Sequence, residues 1–448
     1  MDTREYIKLV KDKLLAKLQP LNDYQVQQLS AHGRSADLIY VSSICDLQKL
    51  ETAIIQPFRQ IGDSKAFLEA LHSSPQITPY QDVADALQQM LSGSAVLLLE
   101  EAIYMVAAQK ELDVGLNETT VETTLQGPQY GLSENLATSL QVIRSRYQAA
   151  SLHLDQYVIG RLSRTQVAVM YDTELVDQQA LQLEELKLDM LQAVGQLENA
   201  LTKQKRVLIP RMLITQRQDR AAFALSKGQI VILLDGTSFV LIAPCTFLEF
   251  FQSMDDLYLH FWISRSLLLL RYIGLLTSLT LPALYTALTS YNPEIFRVQF
   301  ALTIAGSRAA VPYPSYLEVS FMLLMMELIT ESSIRLPKAI GPTATTVGGL
   351  ILGQAAAAAG LVSNIMIIIV AAVALANFVI PINSMSFAVR IIKYLLLIAG
   401  SMYGLIGIIG GLVLAIFVLT DIRSYGKPYL QLFSNTAAQK RDVQIPRK

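Results

Sequence analysis

Residues 339–389 constrain this chain more than any other stretch: 51 consecutive positions carry no Asp, Glu, Lys or Arg. The surface of an ordinary soluble domain does not tolerate that. As one helix the stretch would run about 75 Å, against a bilayer hydrocarbon core of about 30 Å. Two membrane passes are therefore expected, and Gly360-Leu361-Val362-Ser363-Asn364 is the natural break between them. The first pass is rich in small residues, with Gly341, Gly348, Gly349, Gly353 and the run Ala355–Ala359. Small residues let helix backbones approach closely in lipid. The second, Ile365–Ile382, is almost purely aliphatic.

Charge divides the rest of the 448 residues. Residues 1–262 hold 22 Lys+Arg and 31 Asp+Glu, a net charge of −9; residues 263–420 hold 8 and 4, and residues 421–448 hold 6 and 2. The pattern reads as an acidic soluble half, a membrane region and a short basic tail. An acidic soluble half argues against nucleic acid as a partner. Cys45 and Cys245 lie in no CxxC and read as buried free thiols of a reducing compartment. Residues 1–20 form an amphipathic, Lys-rich helical pattern rather than a secretory leader, so the soluble half is expected in the cytoplasm.

Within that half, residues 1–30 read as helix. Residues 37–41 read as a strand, 46–58, 63–71 and 81–91 as helices, and 95–99 and 103–106 as strands around a Glu100-Glu101 turn. A similar order follows Gly127-Pro128. Ser133 caps a helix over 134–147, residues 166–171 form a strand, and residues 174–201 supply helices. A helix over 219–225 then leads to strands at 229–234 and 239–242, joined by an Asp235-Gly236 hairpin turn. Gly93 and Gly228 hold the same place in a helix–Gly–strand–turn–strand plan, which suggests duplication. The expected fold class is an α+β cytoplasmic region of two α/β subdomains, 1–115 and 125–248. An all-α polytopic membrane domain over 262–420 and a basic tail over 421–448 complete it.

Trp262 marks the expected start of the membrane region. Tyr272–Pro293 reads as a pass; Val298–Pro312, interrupted by Arg308, as a tilted, re-entrant or interfacial helix; and Val319–Ile334 as a carboxylate-bearing segment. The Gly-rich stretch Tyr394–Thr420 reads as the last pass. Four to six passes fit. The basic tail favours a cytoplasmic C-terminus, with Arg390 and Lys393 competing at the other end of that pass.

No nucleotide-binding or nucleophile motif is present, and the four histidines lack metal-ligand spacing, so neither an enzyme nor a metal or cofactor site is expected. Glu327, Glu331 and Arg335 share one helical face, with Glu318 one segment earlier. Ionised groups at membrane depth are costly and face protein or a water-filled path. They read either as an ion path or as structural ion pairs at an interface or subunit seam. On the small-residue helix, Thr343, Thr346, Val347, Leu350, Gln354 and Ala357 recur at helical spacing and would line a narrow pore, Val347 or Leu350 forming an apolar constriction. Simple close helix packing is the alternative.

The run Glu327-x-x-x-Glu331-x-x-x-Arg335-Leu336-Pro337-Lys338-x-Ile340-Gly341, continued by Val347-Gly348-Gly349-Leu350-Ile351-Leu352-Gly353-Gln354, resembles the membrane signature of A subunits of the GerA family of spore germinant receptors. Val311-Pro312-x-Pro314 with Glu318, Pro282-Ala283-Leu284-Tyr285, Asp235-Gly236, Gly127-Pro128, and Ser424-x-Gly426-x-Pro428-Tyr429 resemble it too, over about residues 125–430. Thr330 and Ser333 stand where the family usually has Arg and Gly. The resemblance implies a two-part cytoplasmic domain, similar to solute-binding folds, and a helical domain in the spore inner membrane. It also implies assembly with a B-type integral membrane subunit and a C-type lipoprotein, and oligomerisation into a nutrient-gated ion channel. A paralogous spore channel linked to dipicolinic-acid or ion release shares that plan. From the residues, a secondary transporter working through Glu327 and Glu331, or a scaffold for partner subunits, are the rivals.

Overall fold

A computed structural model describes residues 3–431, apart from 20, 101, 111–118, 120–121, 123–125, 177–188, 203–207, 338–339 and 425–426. The basic tail from 432 onward, Lys338 and Gly426 thus lie outside the described residues. Contacts divide the chain into two units, one of residues up to 206 with 212–245, the other of 207–211 with everything from 246 onward.

The first unit begins with α1 (Thr3–Leu18), which places Val10, Leu14 and Leu18 on one buried face at i, i+4, i+8. Hairpin β1 (Tyr24–Ala31) and β2 (Arg34–Val41) closes through His32 and Gly33, both at positive φ. Two such residues suit the right-handed twist of the flanking strands. A helical run over 47–60, α2, and α3 (Ser64–Ser73) lead to β3 (Ile77–Pro79) and α4 (Val83–Leu91). Strands β4 (Ser94–Leu98) and β5 (Ile103–Ala107) complete an antiparallel sheet of order β1-β2-β4-β5-β3.

Alternation along the strands divides the core into two layers. Leu38, Tyr40, Leu97 and Val106 pack with Phe58 and Phe67 of α2 and α3. Ile39, Val41, Val96 and Met105 pack with Leu14, Leu18 and Met90 of α1 and α4. Both faces are covered, which explains why β2 and β4 are near-continuously apolar.

The second sheet repeats that order. It contains β6 (Leu152–Ile159), β7 (Thr165–Asp172), β8 (Leu213–Thr215), β9 (Ile230–Leu234) and β10 (Val240–Ala243) in the order β6-β7-β9-β10-β8, again antiparallel. Helices α5 (Leu136–Arg146), α6 (Val194–Leu201) and α7 (Gln218–Ser226) accompany it. Gly93 and Gly228 precede the matching strands β4 and β9 at φ +102° and +72°. A Cβ at Gly93 would lie 2.9 Å from the Cα of Gln109, and one at Gly228 would run into the carbonyl of Leu175. Glycine is required at both by conformation and by space.

Polar contacts join the two halves of this unit. Arg144 Nη2 donates to Asp23 Oδ1 at 2.9 Å, and the Arg144 and Asp23 side chains are 1% and 7% exposed. Burial pulls Arg144 below its ordinary pKa, and the charge of Asp23 opposes that pull. Asn22 reaches His153 at 2.9 Å. Cys45 and Cys245 are buried free thiols, as read from the sequence.

Several local expectations need correction. Residues 24–31, read as helix, are an edge strand, because β2 offers the ladder partner that local propensity does not see. β6 was not anticipated, since its outward positions include Val158 and blur the alternation. Asn135, not Ser133, caps α5, accepting from Ala137 and Thr138 N–H; Ser133 Oγ accepts from Asn135 N–H instead. In 174–201 the described helix is α6 alone, and 177–188 lie outside the described residues. Leu233 pairs with Val240, so the loop at Asp235-Gly236 is longer than two residues.

The second unit is helical. Its segments are α8 (Phe261–Ser290), α9 (Val298–Arg308), α10 (Ser315–Arg335), α11 (Gly341–Ala358), α12 (Asn364–Phe378) and α13 (Asn383–Asp421). Only α8 and α13 are long and apolar enough, among the described residues, to cross a bilayer; 345–358 and 364–378 are shorter apolar helices. α9, at 11 residues, is about 16 Å long and cannot span. The expected break at 360–364 is present, with Ser363 capping α12.

α13 is not one straight rod. It starts at Asn383, eleven residues before the expected pass, and so carries Arg390 and Lys393. At Gly404 (φ +60°, ψ −140°) the chain reverses. Beyond it, a Cβ on Gly411 would lie 2.6 Å from Leu396 Cδ2, and one on Gly400 lies 3.2 Å from Ile408 Cγ1 and from Ala283 Cβ. Residues 383–403 and 405–421 are therefore two antiparallel arms, and the glycines are the surface on which they and α8 meet. Leu396, Ile408, Ala283 and Ala287 form the seam. Tyr291 closes it, its hydroxyl donating to the Ser401 carbonyl at 2.7 Å.

The segments alternate in direction. α10 starts beside the end of α8, with Ser290 and Ser315 hydroxyls 2.5 Å apart. α11 starts beside the end of α10, where a Cβ on Gly341 would be 3.2 Å from the Ser333 carbonyl. The α11–α12 turn returns to the first end, and the α13 reversal repeats that course. After α13, β11 (Arg423–Ser424) and β12 (Lys427–Pro428) bring Tyr429 back against Phe247 and Phe250, in the segment that leads into α8. The Tyr429 hydroxyl donates to the Pro210 carbonyl at 2.6 Å, and its carbonyl accepts from Phe247 N–H at 2.8 Å. Chain entry and exit are thus at one end of the bundle.

Candidate functional site

The carboxylates of α10 do not act as one group. Glu318 and Glu327 are nine residues apart, which puts them on opposite sides of a helix turning about 100° per residue. Glu327 faces α13. Lys393 Nζ donates to Glu327 Oε1 at 3.3 Å, and Arg390 pairs with its other oxygen and donates to Thr330 Oγ1 at 3.1 Å. The Lys393 side chain is 0% exposed. Two cations on one carboxylate, with Lys393 fully enclosed, form a strongly coupled trio; removing the anion leaves like charges together in low dielectric.

Glu318 faces the opposite way and is 0% exposed. Its Oε1 accepts from the Ser363 backbone N–H at 2.7 Å and hydroxyl at 2.6 Å, and its Oε2 lies 3.3 Å from Arg308 Nε. Glu331 and Arg335 pair with each other at 2.8 Å and remain 58% and 78% exposed. An isolated exposed pair of this kind contributes little in water. The expected shared face of Glu327, Glu331 and Arg335 is thus divided between a part-buried trio, of which Lys393 is fully enclosed, and an exposed pair.

α11 holds Thr343, Thr346, Val347, Leu350 and Gln354 on an exposed surface, with Ala357 half-buried. Val347 and Leu350 are 48% and 60% exposed. Inward, the helix presents Gly353 and Ala356. Gly348 and Gly349 would meet nothing within 4 Å if given a Cβ, so the small residues of its middle are not consumed by packing among the described residues of this chain.

Sequence reasoning missed Arg390, Lys393 and Ser363 as partners. Arg390 and Lys393 counted only as topology charges, and Ser363 only as part of a break. The available signal was two cations at i, i+3 inside an apolar helix, which need an anion from another helix.

A profile of the Bacillus/Clostridium GerA spore germination protein family matches residues 12–447. Spore germination protein B1 of Bacillus subtilis (strain 168) is 32% identical over 436 residues, covering 93% of this chain and 89% of that protein. Spore germination protein KA of the same organism is 30% identical over 415 residues, covering 90% and 76%. Spore germination protein A1, also of that organism, is 29% identical over 468 residues, covering 100% and 96%. Among solved structures, the N-terminal domain of the A subunit of the Bacillus megaterium spore germinant receptor GerK3 aligns with 21% identity and a TM-score of 0.40, over 53% of this chain and 94% of that one.

Proposed function

The chain belongs to the GerA family of spore germination proteins, and on that premise we propose that it is the A-type membrane subunit of a spore germinant receptor. In this reading copies of the chain assemble with each other, with a B-type integral membrane subunit and with a C-type lipoprotein, and α11 lines a nutrient-gated ion path. The observation that carries it is the surface of α11. The Gln354 amide and unpacked glycines lie exposed on an apolar helix, and a side-chain amide at bilayer depth needs a protein partner or a water-filled path. Val347 and Leu350, exposed on the same helix, suit an apolar gate that closes by dewetting.

The alternating segments support a multi-pass arrangement in the spore inner membrane. In this reading the N-terminal domain and the C-terminal tail lie on the same, cytoplasmic side, which chain entry and exit at one end of the bundle support.

The test is ion release from spores carrying Leu350→Ala or Val347→Ala, at normal protein level and without nutrient. Spontaneous release supports a gate on α11. Full dormancy with a normal nutrient response sinks it.

A further inference from the structure

Glu318 is fully buried but lies away from the exposed surface of α11. It holds the turn in which α11 ends. Ser363, whose N–H and hydroxyl both donate to Glu318 Oε1, caps α12 by accepting from Met366 N–H at 3.3 Å. The Tyr285 hydroxyl of α8 lies 3.5 Å from Ser363 Oγ, and Arg308 of α9 faces the other carboxylate oxygen. Gly360, at φ +65°, seats the same turn on the α9–α10 loop, where a Cβ would be 3.0 Å from the Ala310 carbonyl. Four helices thus converge on 359–363. Among its described residues α11 buries only Gly341 at its start and Gly353 and Ala356 near its end, so past its first residue its C-terminal turn is where the bundle fixes it.

We infer that Glu318 is a positioning residue for α11: its ionised carboxylate, held between Arg308 and Ser363, sets where the exposed surface of α11 stands. Two donors on one oxygen and a guanidinium on the other suit the carboxylate and not its neutral isostere. The inference rests on reading α11 as the wall of the ion path, and it gives α9 and its following loop a mechanical route to that wall.

The experiment uses the full chain in its native membrane with a reporter, Gln354→Cys, labelled by a maleimide. Cys45 and Cys245 are buried and give a low background. Glu318→Gln keeps the size and one acceptor but turns a donor toward Arg308; Ser363→Ala removes the hydroxyl and keeps the N–H. Both are expected to change the labelling rate about tenfold, the factor set by one charge-assisted hydrogen bond. Protein level should be unchanged, and the germinant concentration for half-maximal ion release should shift as well. Unchanged labelling in both variants overturns the inference, and so does a fall in protein level with unchanged labelling per molecule. If Leu350→Ala leaves ion release normal while Glu318→Gln still alters labelling, the channel reading fails and the positioning role stands.

Discussion

Gly407 packs directly against the carbonyl of Ala399, eight residues earlier in what reads as one apolar helix. Only a reversal at Gly404 permits this, and the last hydrophobic stretch of the chain is therefore a helical hairpin. A straight helix would separate Leu396 from Leu412 by about 24 Å. In the hairpin both join one apolar seam. The paired substitutions Leu396→Cys and Leu412→Cys are expected to be bridged by a bis-maleimide of about 8 Å reach, a span that a straight helix exceeds threefold. Absence of the bridge on a gel would refute the reversal.

The same hairpin predicts graded glycine sensitivity. Gly404→Ala places a Cβ at positive φ, costing about 1–2 kcal/mol. Gly407→Ala adds overpacking against backbone, about 1–3 kcal/mol. Gly410, which meets nothing within 4 Å, should accept alanine with little change. Thermal unfolding in detergent, read by protease resistance, should rank Gly410→Ala well above the other two.

Glu327 should be the least replaceable member of its trio. Glu327→Gln leaves Arg390 and Lys393 facing each other without an anion and should cost about 3–5 kcal/mol, as for breaking a buried pair. Lys393→Met leaves Glu327 still paired with Arg390 and should cost less. The combination of Glu327→Gln with Lys393→Met should recover part of the loss. Melting temperatures of the three variants in one detergent test the order.

In the N-terminal unit, Asp23 and Arg144 make a parallel case. Arg144→Met should destabilise by about 3 kcal/mol by leaving Asp23 buried without its cation, with only the Ser43 hydroxyl still donating to it among the described side chains, and Asp23→Asn by a similar amount. The double variant should fall short of their sum, because the two share one interaction. Urea unfolding followed by a probe in the second sheet reads this.

Cys45 carries a pH signature. Burial pushes its thiol up to about 12 from its ordinary 9.0. The folded state therefore keeps the proton that the unfolded chain releases first. Its contribution to stability is complete below pH 9 and is lost as pH rises toward 12. Alkylation of native protein at pH 8.5 should be slow and become fast on unfolding. Rapid alkylation of the folded chain would contradict the buried placement.

Much of this protein is local, and the local part is readable. Short apolar runs mark β2, β4, β5 and β9; positive-φ glycines punctuate the strands at Gly93 and Gly228; and a charge-free run with a Gly–Ser break marks α11 and α12. The long motifs around Glu327–Gly341 and Val347–Gln354 carry the family, which the match over residues 12–447 bears out.

What a residue meets outside its own segment is not written in its neighbourhood. β1 is a strand because β2 pairs with it. Thr330 sits beside Arg390, 60 positions on. The carboxylates of α10 separate because a helix distributes nine residues over opposite sides and different helices wait on each. So the amino-acid sequence by itself determined most of the helices, the central strands, the apolar stretches and the family. The pairing of Glu318 with Ser363, of Glu327 with Lys393, and the reversal at Gly404 were decided by tertiary structure. The reason is physical: burying a charge or bringing two backbones together at a glycine is favourable only once the partner surface exists.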